Sequence, residues 1–387
     1  MIKTKYFSWK LNNLTAGCNQ CILGRKLVVF VTGICPKDCF YCPLSEQKKN
    51  NDVIFANERP LRDEDDIDAL IDEAALSKSW GAGLTGGDPL ARIDRTCKYI
   101  KILKREFGKK YHIHLYTVLE SLNNERLKKL EIAGLDELRM HPDILNNKDW
   151  DKMKLLYVNG KRKYKYGLGV EIPSIPGYEK ETIRLIDYFI EKIDFLNINE
   201  LEISDTNSSE LLDRKFHTKD KASYAVKGSQ ELAFKLLGYI GKKYSKANVH
   251  YCTCKLKDGV QLKERLRIRA KSSHKKFDIV TEDGTLIRGA IYAKELSPSY
   301  SYKSILADLD PHKRDKIISK LKILRNNLIK NYAIPKDMII LDDLKIRIIT
   351  NIGIARNLAK VIKPKFIPAI VEQYPTYDQM EVDVEFL

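Results

Sequence analysis

Lys26-Leu27-Val28-Val29-Phe30-Val31-Thr32-Gly33-Ile34-Cys35-Pro36-Lys37-Asp38-Cys39-Phe40-Tyr41-Cys42 joins a short apolar run, rich in β-branched residues, to three closely spaced cysteines. Residues 26–32 suit a strand, and from there the pattern alternates. Residues 63–78 open with Asp63, Glu64, Asp65 and Asp66 and then turn amphipathic, as in a helix whose N-terminal dipole is complemented. Residues 81–85 read as a strand ending in Gly86-Gly87, 92–107 as a helix and 111–117 as a strand. Residues 123–133 form a helix stopped by Gly134. A strand at 135–140, a helix at 148–156 and a strand at 167–172 closed by Pro173 follow, then a helix at 179–192 and a strand at 195–203. Six strands with a helix between each successive pair predict a parallel sheet. Such a sheet needs both faces covered and can curl into a partial (β/α)6 TIM-like barrel of the α/β class. Chemistry in such folds gathers at the carboxyl ends of the strands. The cysteines, Gly86-Gly87-Asp88-Pro89, Arg139 and His141 all fall there.

Beyond residue 204 the alternation fades. Residues 205–220 are polar and read as loop, 228–240 as a helix and 249–255 as a short strand. A basic helix at 261–271, a hairpin over 277–292 around Asp283-Gly284 and a basic amphipathic helix at 312–332 follow. The expected organisation is an N-terminal segment 1–25 with a cysteine pair, a barrel 26–204, and a C-terminal α+β extension 205–387 that is a candidate for substrate binding.

Of 387 residues 43% are hydrophobic, enough for a full core, and 68 Lys+Arg against 52 Asp+Glu leave a formal charge of +16. That excess fits an anionic partner such as RNA, and equally a solvated lysine-rich surface. No apolar run approaches the ~20 residues of a membrane helix, and the N-terminus lacks a secretory pattern. A soluble, cytoplasmic protein is expected, with no membrane partner. In a reducing compartment its eight cysteines favour metal over disulfides. Seven fall into three groups, and Cys97 stands alone as a core thiol.

Cys35, Cys39 and Cys42 are spaced C-x3-C-x2-C. Soft sulfur ligands select zinc or iron–sulfur. A closed zinc site wants four ligands, commonly from paired C-x2-C units, which this triplet does not supply. A cubane held by three thiolates keeps one iron open for another ligand. With Tyr41 just before the last cysteine, at the end of the first strand of a β/α series, the motif resembles the signature of the radical S-adenosylmethionine (SAM) superfamily. The resemblance implies a four-iron four-sulfur (4Fe–4S) cluster on Cys35, Cys39 and Cys42, with SAM chelating the open iron. One electron then breaks a carbon–sulfur bond of SAM, giving methionine and a 5′-deoxyadenosyl radical that abstracts hydrogen from a substrate.

Thr85-Gly86-Gly87-Asp88-Pro89 resembles the superfamily's Gly-Gly-Glu segment, which holds the SAM amino group, with Asp88 in the place of Glu. By the same resemblance Tyr41 and Glu171, in the strand that packs on adenine, join the cofactor-binding set. So does Asn199, which shares one face of the sixth strand with Asn197 while Glu200 and Glu202 share the other. His112, His114 and Tyr116 share a face of the third strand, as ligand-lining or core residues. The likeness covers residues 26–204 and is greatest to archaeal proteins related to pyruvate formate-lyase activating enzyme. It implies an electron donor such as a ferredoxin or flavodoxin.

Cys18 and Cys21 form a C-x2-C turn, and Cys252 and Cys254 lie two apart in a predicted strand, on one side of it. Together they could hold an auxiliary 4Fe–4S cluster or a zinc ion. The substrate stays open among a small metabolite, a peptide and RNA. The basic residues 255–276, with Arg265, Arg267 and Arg269, speak for RNA. Basic helices are commonly just solvated, which favours the metabolite or peptide. A non-catalytic iron–sulfur or zinc protein binding RNA is the alternative of another class.

Overall fold

The computed structural model describes residues 1–299, 302–362 and 365–387. They fall into two compact units, Met1–Arg265 and Leu266–Leu387. In the first, helix α1 (Ala16–Ile22) precedes strand β1 (Lys26–Thr32). The strands β2 (Gly81–Gly86), β3 (His112–Val118), β4 (Glu137–His141), β5 (Gly167–Ser174), β6 (Phe195–Glu200) and β7 (Val249–Cys252) follow. Neighbours pair in parallel and in chain order from β1 to β7. Helices α2 (Ile67–Leu76), α3 (Ile93–Phe107), α4 (Asn124–Ala133), α5 (Glu179–Phe189) and α6 (Ser229–Lys243) lie in the crossovers. α4 shows how local sequence sets its ends. The Asn123 side chain accepts a hydrogen bond from the Arg126 N–H, and Gly134 closes the helix in the left-handed region at φ 94°.

The barrel is open, and antiparallel strands cover both of its edges. Ile54–Ala56 pairs with β1, and Trp9–Leu11 pairs with β7. Neither edge of the parallel run is left as a bare row of backbone donors and acceptors. Period 2 sorts each strand. Leu27, Val29 and Val31 of β1 pack in the core, while Val28 is 38% exposed and borders an interior cavity. The same rule puts Ile113 and Leu115 in the core and His114 and Tyr116 inside, and likewise Leu138 and Met140 against Arg139 and His141. The interior is therefore polar and partly empty where a fully packed barrel would be apolar.

Three expectations change. The parallel sheet has a seventh strand, β7, and the first unit runs to Arg265, past the expected boundary at 204. Residues 201–228 separate β6 from α6, and that long insertion, which carries the short helix Ser208–Asp213, hides the last β/α unit. The helix expected at 148–156 is a 3₁₀ stretch, Trp150–Leu156.

The second unit is an antiparallel sheet. Its order is Ile339–Asp342, Arg347–Thr350, Leu286–Ala293, Phe366–Gln373, Glu381–Phe386, with Ile279–Val280 also on Leu286–Ala293. That last pairing is the expected hairpin. Ile291, Ile348 and Val371 pack with Leu321 of the helix Pro311–Tyr332 and Leu358 of the helix Ile352–Ile362. Among the described residues no helix is long and apolar enough to cross a membrane.

Candidate iron–sulfur and cofactor site

Cys35, Cys39 and Cys42 are free thiols in the loop that leaves β1, and all three line an interior cavity of ≈ 500 Å³. The loop is tied down from several sides. The Tyr41 hydroxyl lies 2.8 Å from His141 Nε2, and His141 Nδ1 lies 2.8 Å from the Glu171 carbonyl oxygen. A carbonyl only accepts, so Nδ1 carries the proton. Burial holds the His141 pKa below its ordinary value, so the ring is neutral and Nε2 accepts from Tyr41. Lys37 faces three carboxylates, Glu120 at 3.2 Å and Asp143 and Asp149 at 3.6 Å. Asn207 Nδ2 donates to the Tyr41 carbonyl at 3.2 Å. Asp52 accepts from Thr32 Oγ1 and from Arg95 Nη1, both at 2.7 Å, where the chain returns to the barrel. These anchors fix cysteines that belong to no regular element.

Burial pushes the Cys35 thiol up to about 11, and burial with the neighbouring Cys42 also raises Cys39. A raised thiol holds its proton until a cation displaces it, as a metal centre does, and this applies to Cys35 and Cys39. Among the described residues no three His, Cys, Asp or Glu side chains converge where a single ion could sit. That geometry does not offer a preformed zinc site. A cubane takes one thiolate per iron, so its ligands need not meet at a point.

Gly86 and Gly87 are laced to the same loop. Gly87 N donates to the Thr32 carbonyl and Asp88 N to the Ile34 carbonyl, each at 2.8 Å. Gly86 has φ 139°, and a Cβ there would stand 2.2 Å from the Thr32 carbonyl oxygen. A Cβ on Gly87 would stand 2.5 Å from the carbonyl oxygens of Gly33 and Ile34. Bare backbone is required here because two chain segments touch. Gly87→Ala should therefore push the Cys35 loop outward, and anaerobic reconstitution of that variant should retain clearly less iron than wild type. Full iron retention would contradict this packing.

The Asp88 side chain corrects an expectation. It is 0% exposed and does not border the cavity. Its carboxylate accepts from Leu90 N at 3.1 Å, from Thr117 Oγ1 at 2.8 Å and from the Ser121 hydroxyl. Three protein donors occupy it, so it braces the turn after β2. Thr85, Gly86 and Gly87 do line the cavity, as do Tyr41, Glu171 and Asn199. Asp88→Ala should cost about 1–3 kcal/mol, the price of stranding buried hydroxyls, readable as a lower urea midpoint.

Deeper in the barrel a charged network crosses the interior. Arg139 is 2% exposed and meets Glu137 Oε2 at 2.8 Å, Glu171 Oε2 at 3.2 Å and the Tyr116 hydroxyl at 3.2 Å. Asn197 Nδ2 and Asn199 Nδ2 each donate to Glu171 at 2.9 Å. His112 lies 3.1 Å from Glu137. The sequence singles out Arg139, Glu171, Tyr116, His112, Asn197 and Asn199 strand by strand, and Glu137 carries no local signal there. Only the pairing of β4 with β5 shows that Glu171 and Arg139 are partners.

The second cysteine group is partly assembled. Antiparallel pairing of Trp9–Leu11 with β7 brings the N-terminal segment to the strand that ends in Cys252. Cys18 Sγ lies 3.4 Å from Asn197 Nδ2 and 3.6 Å from Arg139 Nη2, and Cys21 lines the cavity. Cys254 departs. β7 ends at Cys252, Thr253 caps a helical turn, and the Cys254 thiol faces Glu202 at 3.7 Å. Cys252 and Cys254 therefore flank a turn and do not share one side of a strand. The four thiols do not surround a single ion.

The basic stretch is also spoken for in part. Arg265 is paired with Glu58 and donates to Asn57 Oδ1 at 3.2 Å. Arg269 is buried. Arginines held in this way do not present a row of free cations to a phosphate backbone.

Residues 29–198 match the family described as the Radical SAM superfamily. The chain is 38% identical over 98% of its length to a Methanocaldococcus jannaschii protein provisionally named a glycyl-radical enzyme activating enzyme, 94% of which is covered. A biotin synthase of Pseudoalteromonas translucida is 32% identical over 115 residues, 28% of this chain and 30% of that protein. Among solved structures, SuiB of Streptococcus suis bound to S-adenosylmethionine has a TM-score of 0.40 and 14% identity, covering 59% of this chain and 50% of that one. The chain belongs to the radical SAM superfamily and is an enzyme of that class, using a 4Fe–4S cluster and SAM.

Proposed function

We propose that Cys35, Cys39 and Cys42 hold the cluster, and that Tyr41, Thr85, Gly86, Gly87, Glu171 and Asn199 line the SAM site. We further propose that the substrate is a glycyl residue of a partner protein. The observation that carries the site is the placement of all three cysteines on the wall of one ≈ 500 Å³ cavity that also reaches Gly86, Gly87 and Glu171. The partner follows from the name of the archaeal relative, which matches over nearly the whole chain.

When bound, the cluster and SAM supply reductive carbon–sulfur cleavage and hydrogen-atom abstraction. The protein's part is to position and enclose. Lys37 and Tyr41 hold the cysteine loop against β4 and β5. Arg139 is shared between Glu137 and Glu171, and Asn197 and Asn199 also donate to Glu171, so these buried carboxylates are held by protein donors. The Glu202–Lys257 pair, at 3.2 Å, borders the cavity as a polar wall toward the substrate. A ferredoxin- or flavodoxin-like protein would supply the electron.

The test uses cells grown on α-deuterated glycine. Their extract is separated into protein and small-molecule fractions, and each is added to the anaerobically reconstituted enzyme with SAM and dithionite. Deuterium should appear in 5′-deoxyadenosine with the protein fraction alone. Deuterium arising from the small-molecule fraction instead would replace the protein substrate with a metabolite. Label from neither fraction would reject the glycyl substrate.

A further inference from the structure

The C-terminal unit has a cavity of its own, of ≈ 350 Å³, bordered by Arg269, Lys275, Arg288, Leu286, Ile349 and Tyr377 among others. Neither the cluster nor the SAM site draws on any of these residues. The volume is in the range that holds a small organic molecule, above about 300 Å³.

Two arginines of this unit differ sharply. Arg347 is 0% exposed and fully engaged. It meets Asp342 Oδ2, Glu381 Oε1 and Gln379 Oε1 at 3.0 Å each and the Tyr292 hydroxyl at 2.9 Å, and it also donates to Gln373. It is a structural cation whose charge is met. Arg288, in the middle of the strand Leu286–Ala293, is 4% exposed and makes one ion pair among the described residues, Nη2 to Asp278 Oδ2 at 2.5 Å. Among the described residues its Nε has no hydrogen-bond partner, nor has Asp278 Oδ1, and both atoms are buried. An unpaired donor on a buried cation is costly. Burial and the nearby Arg347 both oppose the Arg288 charge, and its pKa is lowered accordingly.

Asp278, the partner of Arg288, does not border the cavity, so the guanidinium faces it without that carboxylate beside it on the wall. Asp342 is committed to Arg347, and Asp343 is exposed. Lys275, exposed at the rim, adds positive charge on the same side. Apolar and aromatic side chains, Leu286, Ile349 and Tyr377, make up much of the remaining wall. A cationic corner beside an apolar wall is complementary to a molecule with one anionic head and an apolar body. We propose that this cavity binds a small organic anion, its carboxylate or phosphate head on the side of Arg288 and Lys275 and its body against Leu286, Ile349 and Tyr377.

Benzoate and phenyl phosphate, a carboxylate and a phosphate on the same ring, are titrated calorimetrically into the full chain, with acetate and inorganic phosphate as bare heads. SAM is present at saturation so that the barrel cavity does not report. At least one ring-bearing probe should bind at one per chain, more tightly than its bare head and more weakly as salt rises. Preference between the two identifies the head. Asp278→Asn/Arg288→Gln removes both charges of the buried pair together and should lower affinity about tenfold or more. Lys275→Glu, at an exposed position, should also weaken binding and decides the matter if the double variant does not fold. No heat with any of the four probes, or binding unchanged in Lys275→Glu and in a folded double variant, overturns the site.

Discussion

Replacing any one of Cys35, Cys39 or Cys42 by Ala should abolish SAM cleavage, with activity falling below detection. On the proposed assignment the cubane has three protein ligands, all in this loop, so each variant leaves one iron without its thiolate. Among the described residues no three His, Cys, Asp or Glu side chains are arranged to hold a metal ion in their place. The thiols are held at fixed points by the Lys37 ion pairs and the Tyr41–His141 contact, so a neighbouring side chain cannot take over without dismantling those anchors. Iron content per chain, visible absorbance and 5′-deoxyadenosine yield should fall together in each variant. The circular-dichroism spectrum should be unchanged, because the three side chains lie in a loop outside the strands and helices. A single-Ala variant with wild-type turnover would remove that cysteine from the site.

Arg139→Met should destabilise the fold by about 3–5 kcal/mol, the cost of breaking a buried ion pair from one side. Glu137 and Glu171 would each lose a cation, at 2.8 Å and 3.2 Å. The effect should depend on pH. Burial alone would raise Glu137, but His112 and Arg139 override it and hold its carboxyl well below the usual range. A depressed carboxyl contributes stability above its unfolded pKa, and that stability is lost as pH falls through the folded value. The variant forfeits the Arg139 share of it. Its deficit should be largest near neutral pH and shrink in acid, where Glu137, stripped of Arg139 and still buried, can take up a proton. Urea unfolding at pH 7 and at pH 5 measures both. Arg139→Lys should recover part of the loss. An unchanged urea midpoint for Arg139→Met would show that the network carries no net stability.

The part of the fold legible in sequence was the part where period and punctuation agree. β1 to β6 are short, β-rich and separated by helices with recognisable caps, such as Asn123 and Gly134. β7 is legible as a strand but not as part of the barrel, because the polar insertion after β6 interrupts the alternation. Its neighbours are set by pairing to β6 on one side and Trp9–Leu11 on the other, and pairing over such separations leaves no local trace. The same reason limits the site. Cys35, Cys39, Cys42, Gly86 and Gly87 stand in local motifs. Asp88 looked like a ligand group from its neighbours in sequence. Its role was decided by Thr117 and Ser121, from β3 and the turn beyond it. Cys254 departs from expectation because the strand ends at Cys252, three residues short of 255, and the helical turn after it carries the thiol toward Glu202. The arginines at 265 and 269 looked like a free basic face until Glu58 and the core claimed them.

The most direct test of the central claim is the metal and the chemistry of the purified protein. Prepared and reconstituted without oxygen, it should be brown, carry about four irons per chain in one cubane, and convert SAM to 5′-deoxyadenosine and methionine when dithionite is added. A colourless protein with stoichiometric zinc, or an iron-loaded one that leaves SAM intact under reduction, would contradict the account.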